Sequence, residues 1–191
     1  MSPLPSAERR ELLTLARRAI VEAAHYRPSP QVALTSPTLA QPSGAFVSLH
    51  QHGRLRGCIG QVEPVEPLAA TVARCAVAAA MEDPRFAAVR PEEIPDLEIE
   101  ISVLSPLSSI GPEEIEIGKH GLLISRGFLR GLLLPQVATQ LHWSRERFLQ
   151  ETCRKAGLDA DAWQDPGTKI QAFTAEVFSE AGLAEHHAQA S

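Results

Sequence analysis

The sequence predicts an α+β fold, and three observations carry that reading. Residues 97–104 alternate apolar Leu97, Ile99, Ile101 and Val103 with polar Glu98, Glu100 and Ser102. That period of two marks a strand with one buried and one wet face, as in an antiparallel sheet. Phe46–His50 and Arg54–Gly60 flank a Gln51-His52-Gly53 turn, which makes a hairpin. The helical stretches lie apart from these strands, without the regular strand–helix alternation of a doubly wound parallel sheet.

The elements follow in order. Ser6 is placed to cap a helix over about 7–26, where Leu12, Leu15, Ala16, Ala19, Ile20 and Ala23 recur at helical spacing. Pro28 and Pro30 end it, and residues 28–44 read as an irregular connection. After the hairpin, Pro64 and Pro67 lead into an alanine-rich helix over 68–81, whose small side chains allow close packing on a sheet. Glu82-Asp83-Pro84-Arg85-Phe86 stops that helix and forms a loop. Beyond Gly111, Ile115–Ile117, Leu122–Ile124 and Leu132–Leu134 are short apolar runs separated by glycines, hence small strands. A short helix follows Pro135. Ser144 caps a helix over 145–156 that Gly157 closes. Asp165-Pro166-Gly167 is a turn, residues 168–179 read as one last strand, and the tail after Glu180 as frayed. No internal repeat is present.

At 191 residues the chain suits one domain, or a domain with a small lobe. Hydrophobic residues make up 44% and charged residues 21%, the balance of a globular protein with a real core. A net charge of −5 argues against general nucleic-acid binding, which wants a basic face. The N-terminus lacks the basic and apolar regions of a signal peptide, and no apolar run reaches membrane-spanning length. Cys58, Cys75 and Cys153 are few, odd in number and widely spaced, which suits reduced thiols in the cytoplasm. No Cys-x-x-Cys pair offers a zinc site, and neither a metal nor a cofactor is expected.

Leu55-Arg56-Gly57-Cys58-Ile59-Gly60 is the stretch richest in chemistry. Strand alternation puts Leu55 and Ile59 on one face as anchors, and Arg56 and Cys58 on the other. A cation beside a thiol favours the thiolate, and the flanking Gly57 and Gly60 permit close backbone approach. Against this stands a packed, inert thiol, since free cysteine is among the most buried residue types. The base would be a histidine, and hairpin register decides the role of His50. A two- or four-residue loop pairs His50 with Leu55 and Val47 with Cys58, turning His50 away from the thiol. A three- or five-residue loop slips the pairing by one and reverses this. His50-x-His52 has a spacing that can bind metal on a strand, but His52 lies in the turn and no carboxylate is near in sequence. His186 and His187 read as solvated.

Familiar catalytic motifs are absent. Gly118-Lys119 is followed by His120, so there is no phosphate-binding loop of the Walker type. There is no Gly-x-Ser-x-Gly elbow, and Pro64 stands where a cysteine phosphatase would carry arginine.

Leu55–Gly60 resembles the signature of the AMMECR domain family, also called AmmeMemoRadiSam system protein A. Further stretches agree in order: Asp83–Phe86, Ile101–Pro106, Gly118–Leu122, Gly131–Val137, Phe148-Leu149, Thr152-Cys153, Lys155–Leu158 and Trp163. The resemblance runs from about residue 8 to 180. It implies two unequal lobes, with Leu55–Gly60 lining the cleft between them. The larger lobe would hold an antiparallel sheet flanked by helices, and the smaller short strands and helices; the composition change at Ser109-Ile110-Gly111 places the larger at about 1–110 and 168–191 and the smaller at about 111–167. The resemblance also implies the company of a Memo-type protein and a radical SAM enzyme. It implies a fold and a site, not a reaction.

Cys58 and His120 are therefore the catalytic candidates, His120 as a proton carrier from its Gly-Lys-His-Gly turn. Arg56, Gly57, Gly60, Asp83 and Arg85 are the candidates for binding a small molecule or a modified protein. Asp83 and Arg85 are equally readable as an ion pair that pins their loop, Arg56 as a structural bridge, and His120 as a plain turn residue. Trp143 and Trp163 are read as core. A cytoplasmic thiol-bearing binding domain and a non-catalytic adaptor both fit these residues, and whether the domain is an enzyme stays open.

Overall fold

The computed structural model describes residues 3–28, 30 and 36–182. His186, His187 and part of the 28–44 connection lie outside the described residues. The class is α+β, with two antiparallel sheets and helices set apart from the strands. The chain divides into two compact units, Met1–Leu104 with Glu176–Ser191, and Ser105–Ala175.

The first unit begins with helix α1, Ser6–Ala24. Strands β1 (Ala45–Gln51) and β2 (Arg54–Gln61) form the hairpin, followed by helix α2 (Leu68–Met81). A short 3-10 helix, Pro91–Asp96, leads into β3, Leu97–Leu104. The sheet has the order β2-β1-β3-β8, where β8 is Ala175–Ser179. One face is the core: Val47 and Leu49 from β1 and Ile99 and Ile101 from β3 are fully buried with Leu12, Ala16 and Ile20 of α1 and Val72 and Ala76 of α2. Each buried Leu or Ile contributes about 1.5–3 kcal/mol. The same alternation sends Ser48 and His50 of β1 and Glu98 and Glu100 of β3 to the opposite, polar face.

The second unit has a sheet of order β4-β7-β5-β6, from β4 (Ser108–Ser109), β5 (Gly121–Arg126), β6 (Leu129–Leu133) and β7 (Lys169–Phe173). Helices α3 (Pro135–Gln140) and α4 (Arg145–Lys155) accompany it. Leu122, Ile124, Phe148, Leu149, Cys153 and Ala172 form its core, with Trp143 and Trp163 packed against it. Ser144 caps α4 by accepting the Arg147 N–H, and Gly157 closes it at φ 76°.

Several expectations are corrected. Ser6 does not cap α1 but is its first residue; Pro5, with φ −55°, precedes the helix, and its carbonyl accepts the Arg9 N–H. Ile115–Ile117 is not a strand. A 3-10 turn at Pro112–Glu114 runs into it, so Ile115 is buried while Ile117 stays exposed. Residues 168–179 are not one strand: the chain breaks at Thr174, and β7 and β8 join different sheets.

Candidate functional site

The hairpin turn determines which side chains surround Cys58. Gln51 pairs with Arg54, leaving a two-residue loop of His52 and Gly53. Their φ angles are 51° and 73°, the doubly left-handed turn whose twist matches a hairpin. His50 pairs with Leu55, as a two-residue loop requires. The register then shifts: Leu49 pairs with Gly57 and Ser48 with Cys58, so Arg56 is the extra residue of a β-bulge. This corrects the strand alternation. Leu55 shares the polar face with Cys58 and is 41% exposed, while Ile59, opposite Val47, packs against the core. His50, Ser48 and Cys58 all fall on one face.

Cys58 lies on an edge strand, and its backbone is closed by a loop in place of a further strand. The Asp83 carboxylate accepts the Cys58 N–H at 2.8 Å, and the Arg85 guanidinium donates to the Cys58 carbonyl at 3.1 Å. Asp83-Pro84-Arg85-Phe86 is a tight turn with proline second and the Phe86 N–H donating to the Asp83 carbonyl. Asp83 also accepts the Arg85 N–H, the usual Asx arrangement, and forms an ion pair with the Arg85 side chain at 2.7 Å. Asp83 is buried. Arg85, foremost, and the N–H groups of Cys58 and Arg85 hold its carboxyl well below the usual carboxylate range, against the opposing effect of burial. Arg85 is kept charged above its usual range chiefly by its hydrogen bond to Asp83, against the opposing effect of burial.

Because the Cys58 N–H and C=O point to the free edge, Ser48 and Cys58 form the pair type whose side chains come closest. The Ser48 hydroxyl donates to Cys58 Sγ at 3.3 Å. Cys58 is half-buried, whereas Cys75 and Cys153 are buried in the two cores.

The other predicted residues divide clearly. Arg56 makes a fork with Glu93, at 2.9 and 3.2 Å, and donates to the Ala87 carbonyl at 2.8 Å. That pairing, foremost, lowers the Glu93 carboxyl. The arginine bound at Cys58 is therefore Arg85, through the backbone carbonyl, and not Arg56. Gly57 faces α2, and a Cβ there would lie on the Ala79 carbonyl oxygen; a Cβ at Gly60 would lie in the Phe46 ring. Both close approaches are made by the chain itself. His120 belongs to the second unit, where its Nδ1 accepts the Glu116 N–H at 3.1 Å and ties a turn with Gly118 at φ 86°. Sequence reasoning passed over Ser48; its signal was the register of the hairpin, which the bulge hides.

The model of the AMMECR1 family matches residues 13–178. The chain belongs to the AMMECR1 family. A relative from Methanothermobacter thermautotrophicus is 44% identical over 95% of this chain and 98% of its own. The Thermococcus kodakarensis protein TK0174 is 43% identical over 88% of each. The crystal structure of an uncharacterized Pyrococcus horikoshii protein, PH0010, aligns with a TM-score of 0.84 at 41% identity, covering 89% of this chain and 90% of that one. Among the described residues of this AMMECR1-family chain, no helix is long and apolar enough to cross a membrane. No group of three or more His, Cys, Asp or Glu among them could hold a metal ion.

Proposed function

We propose that this AMMECR1-family chain binds a small molecule or a modified protein on the polar face of its first sheet, at Leu55–Gly60, and that Cys58 performs thiol chemistry there. The observation that carries this reading is the setting of Cys58. Its backbone is held on both sides by Asp83 and Arg85, while its half-buried sulfur accepts from Ser48 at 3.3 Å. A half-buried sulfur on a fixed backbone, with a hydroxyl donor against it, is positioned to act as a nucleophile. The test is alkylation of the folded protein by iodoacetamide with peptide mapping. Cys58 is expected to label at least tenfold faster than a thiol on an unstructured peptide at the same pH, about 1.4 kcal/mol in activation free energy. Labelling slower than that peptide would sink the reading.

A second reading has its own support. Arg56, Gly57 and Gly60 are engaged by Glu93, Ala79 and Phe46, so much of the signature serves the framework of the hairpin. On that reading the domain is a non-catalytic adaptor for a Memo-type protein or a radical SAM enzyme. Co-purification with either partner that survives Cys58→Ser, together with an unreactive Cys58, would favour it.

A further inference from the structure

We infer that His50 is the base that takes the Cys58 thiol proton. The inference rests on the thiol reading above and assigns the proton carrier within that site, a role for which the sequence had suggested His120.

The register carries it. Cys58 on β2, Ser48 on β1 and Glu100 on β3 stand opposite one another in one row across the polar face. Leu55, His50 and Glu98 form the next row. Partners within a row have Cβ atoms about 4.5–5.5 Å apart, and diagonal neighbours about 7–8 Å, a span that an imidazole ring and a thiol cover between them. His50 is the diagonal neighbour of Cys58. The bulge at Arg56 makes it so, because an unbulged two-residue hairpin would place Val47 opposite Cys58 and turn the thiol to the core face.

The charges around His50 suit the role. Glu98 lies directly opposite it and Glu100 diagonally, both on β3. On the β2 side it faces Cys58, beyond which lie Asp83 and Arg85, while Arg56 at the bulge is bound to Glu93. α2 packs on the other face of the sheet. When the S–H bond breaks, its electron pair stays on sulfur and the proton moves to the imidazole nitrogen that carries a lone pair. A neutral pair becomes an ion pair with no change in total charge. Two carboxylates then stabilise the imidazolium, and the Ser48 hydroxyl stabilises the thiolate.

The experiment measures iodoacetamide alkylation of Cys58 in the full chain, by peptide mapping, as a function of pH. The variants are His50→Gln, His50→Asn and, as a control, His52→Asn in the turn. At about pH 6.5 both His50 variants are expected to slow Cys58 alkylation about tenfold, a modest general-base effect. The difference should close near pH 10, above the ordinary thiol range, where hydroxide removes the proton in every variant. H52N should follow the wild type. If the His50 variants fold and follow the wild type, the His50 assignment is overturned while the reading of Cys58 as a thiol site stands. An equal slowing at every pH overturns it too, because His50 would then govern access alone. A wild-type Cys58 that resists alkylation removes the thiol reading itself.

Discussion

Asp83 accepts the backbone N–H of Cys58 at 2.8 Å, so the edge strand that carries the thiol is closed by one buried carboxylate. The same carboxylate holds Arg85, and Arg85 returns to the Cys58 carbonyl at 3.1 Å. Two side chains thus satisfy the two backbone groups that a fifth strand would otherwise pair. An exposed edge invites pairing with another chain, and this closure removes that at Cys58.

Asp83→Asn should weaken this closure. It removes the charge that Arg85 pairs with and leaves strong donors poorly satisfied, a loss of about 2 kcal/mol. Folded Asp83 holds a proton more weakly than the unfolded chain does, so protonation favours unfolding. Its contribution is complete above about pH 4, the ordinary carboxylate range, and is lost as the pH falls below it. Urea titrations at neutral and acid pH check this: D83N should be less stable than the wild type near neutrality, with the gap narrowing in acid. A gap that widens in acid would contradict the assignment.

Gly57→Ala should cost about 3 kcal/mol, because the new methyl group meets backbone and cannot be relieved by a rotamer change. The obstacle is the Ala79 carbonyl oxygen of α2. Equilibrium denaturation measures the loss. Undiminished stability would mean that α2 and β2 separate freely.

Arg56→Lys should lower stability by about 1–2 kcal/mol, since lysine cannot reproduce the fork to Glu93 and the bond to the Ala87 carbonyl. The alkylation rate of Cys58 should move less than about twofold, a change worth under 1 kcal/mol. A collapse of that rate in a folded R56K protein would show that Arg56 acts on the sulfur.

Of the three cysteines, Cys58 alone should label in the folded protein. Burial, foremost, pushes the Cys75 thiol up to about 11, and burial likewise raises Cys153. Both should react only once denaturant opens the cores. Mass spectrometry of the native protein should therefore find a single modified site, followed by modification of all three on unfolding. Early labelling of Cys75 would mean that the first core opens locally.

Local signals read well in this chain because their causes are local. The alternation over 97–104 depends only on the two-residue repeat of a strand, and β3 has the bounds it implies. Ser144 and Gly157 bracket α4 through backbone geometry within one turn of each end. Asp83-Pro84-Arg85 announces a turn because proline fixes one angle and an Asx side chain bonds two residues on.

The sequence by itself determined the α+β class and the hairpin around His52-Gly53, and it singled out the Cys58 thiol as a candidate. Only the tertiary structure decided which groups meet that thiol. The bulge at Arg56 answers to Glu93, Ala87 and α2, residues distant in sequence, and it reverses the face that simple alternation assigns to Leu55. Arg85 reaches Cys58 because a loop after α2 lies along the open edge of β2, which no spacing within Leu55–Gly60 encodes. The break at Thr174 is of the same kind, since two sheets compete there for one run of strand-forming residues. In each case long-range hydrogen bonding and packing, contributing a few kcal/mol, outweigh local preferences worth a fraction of that.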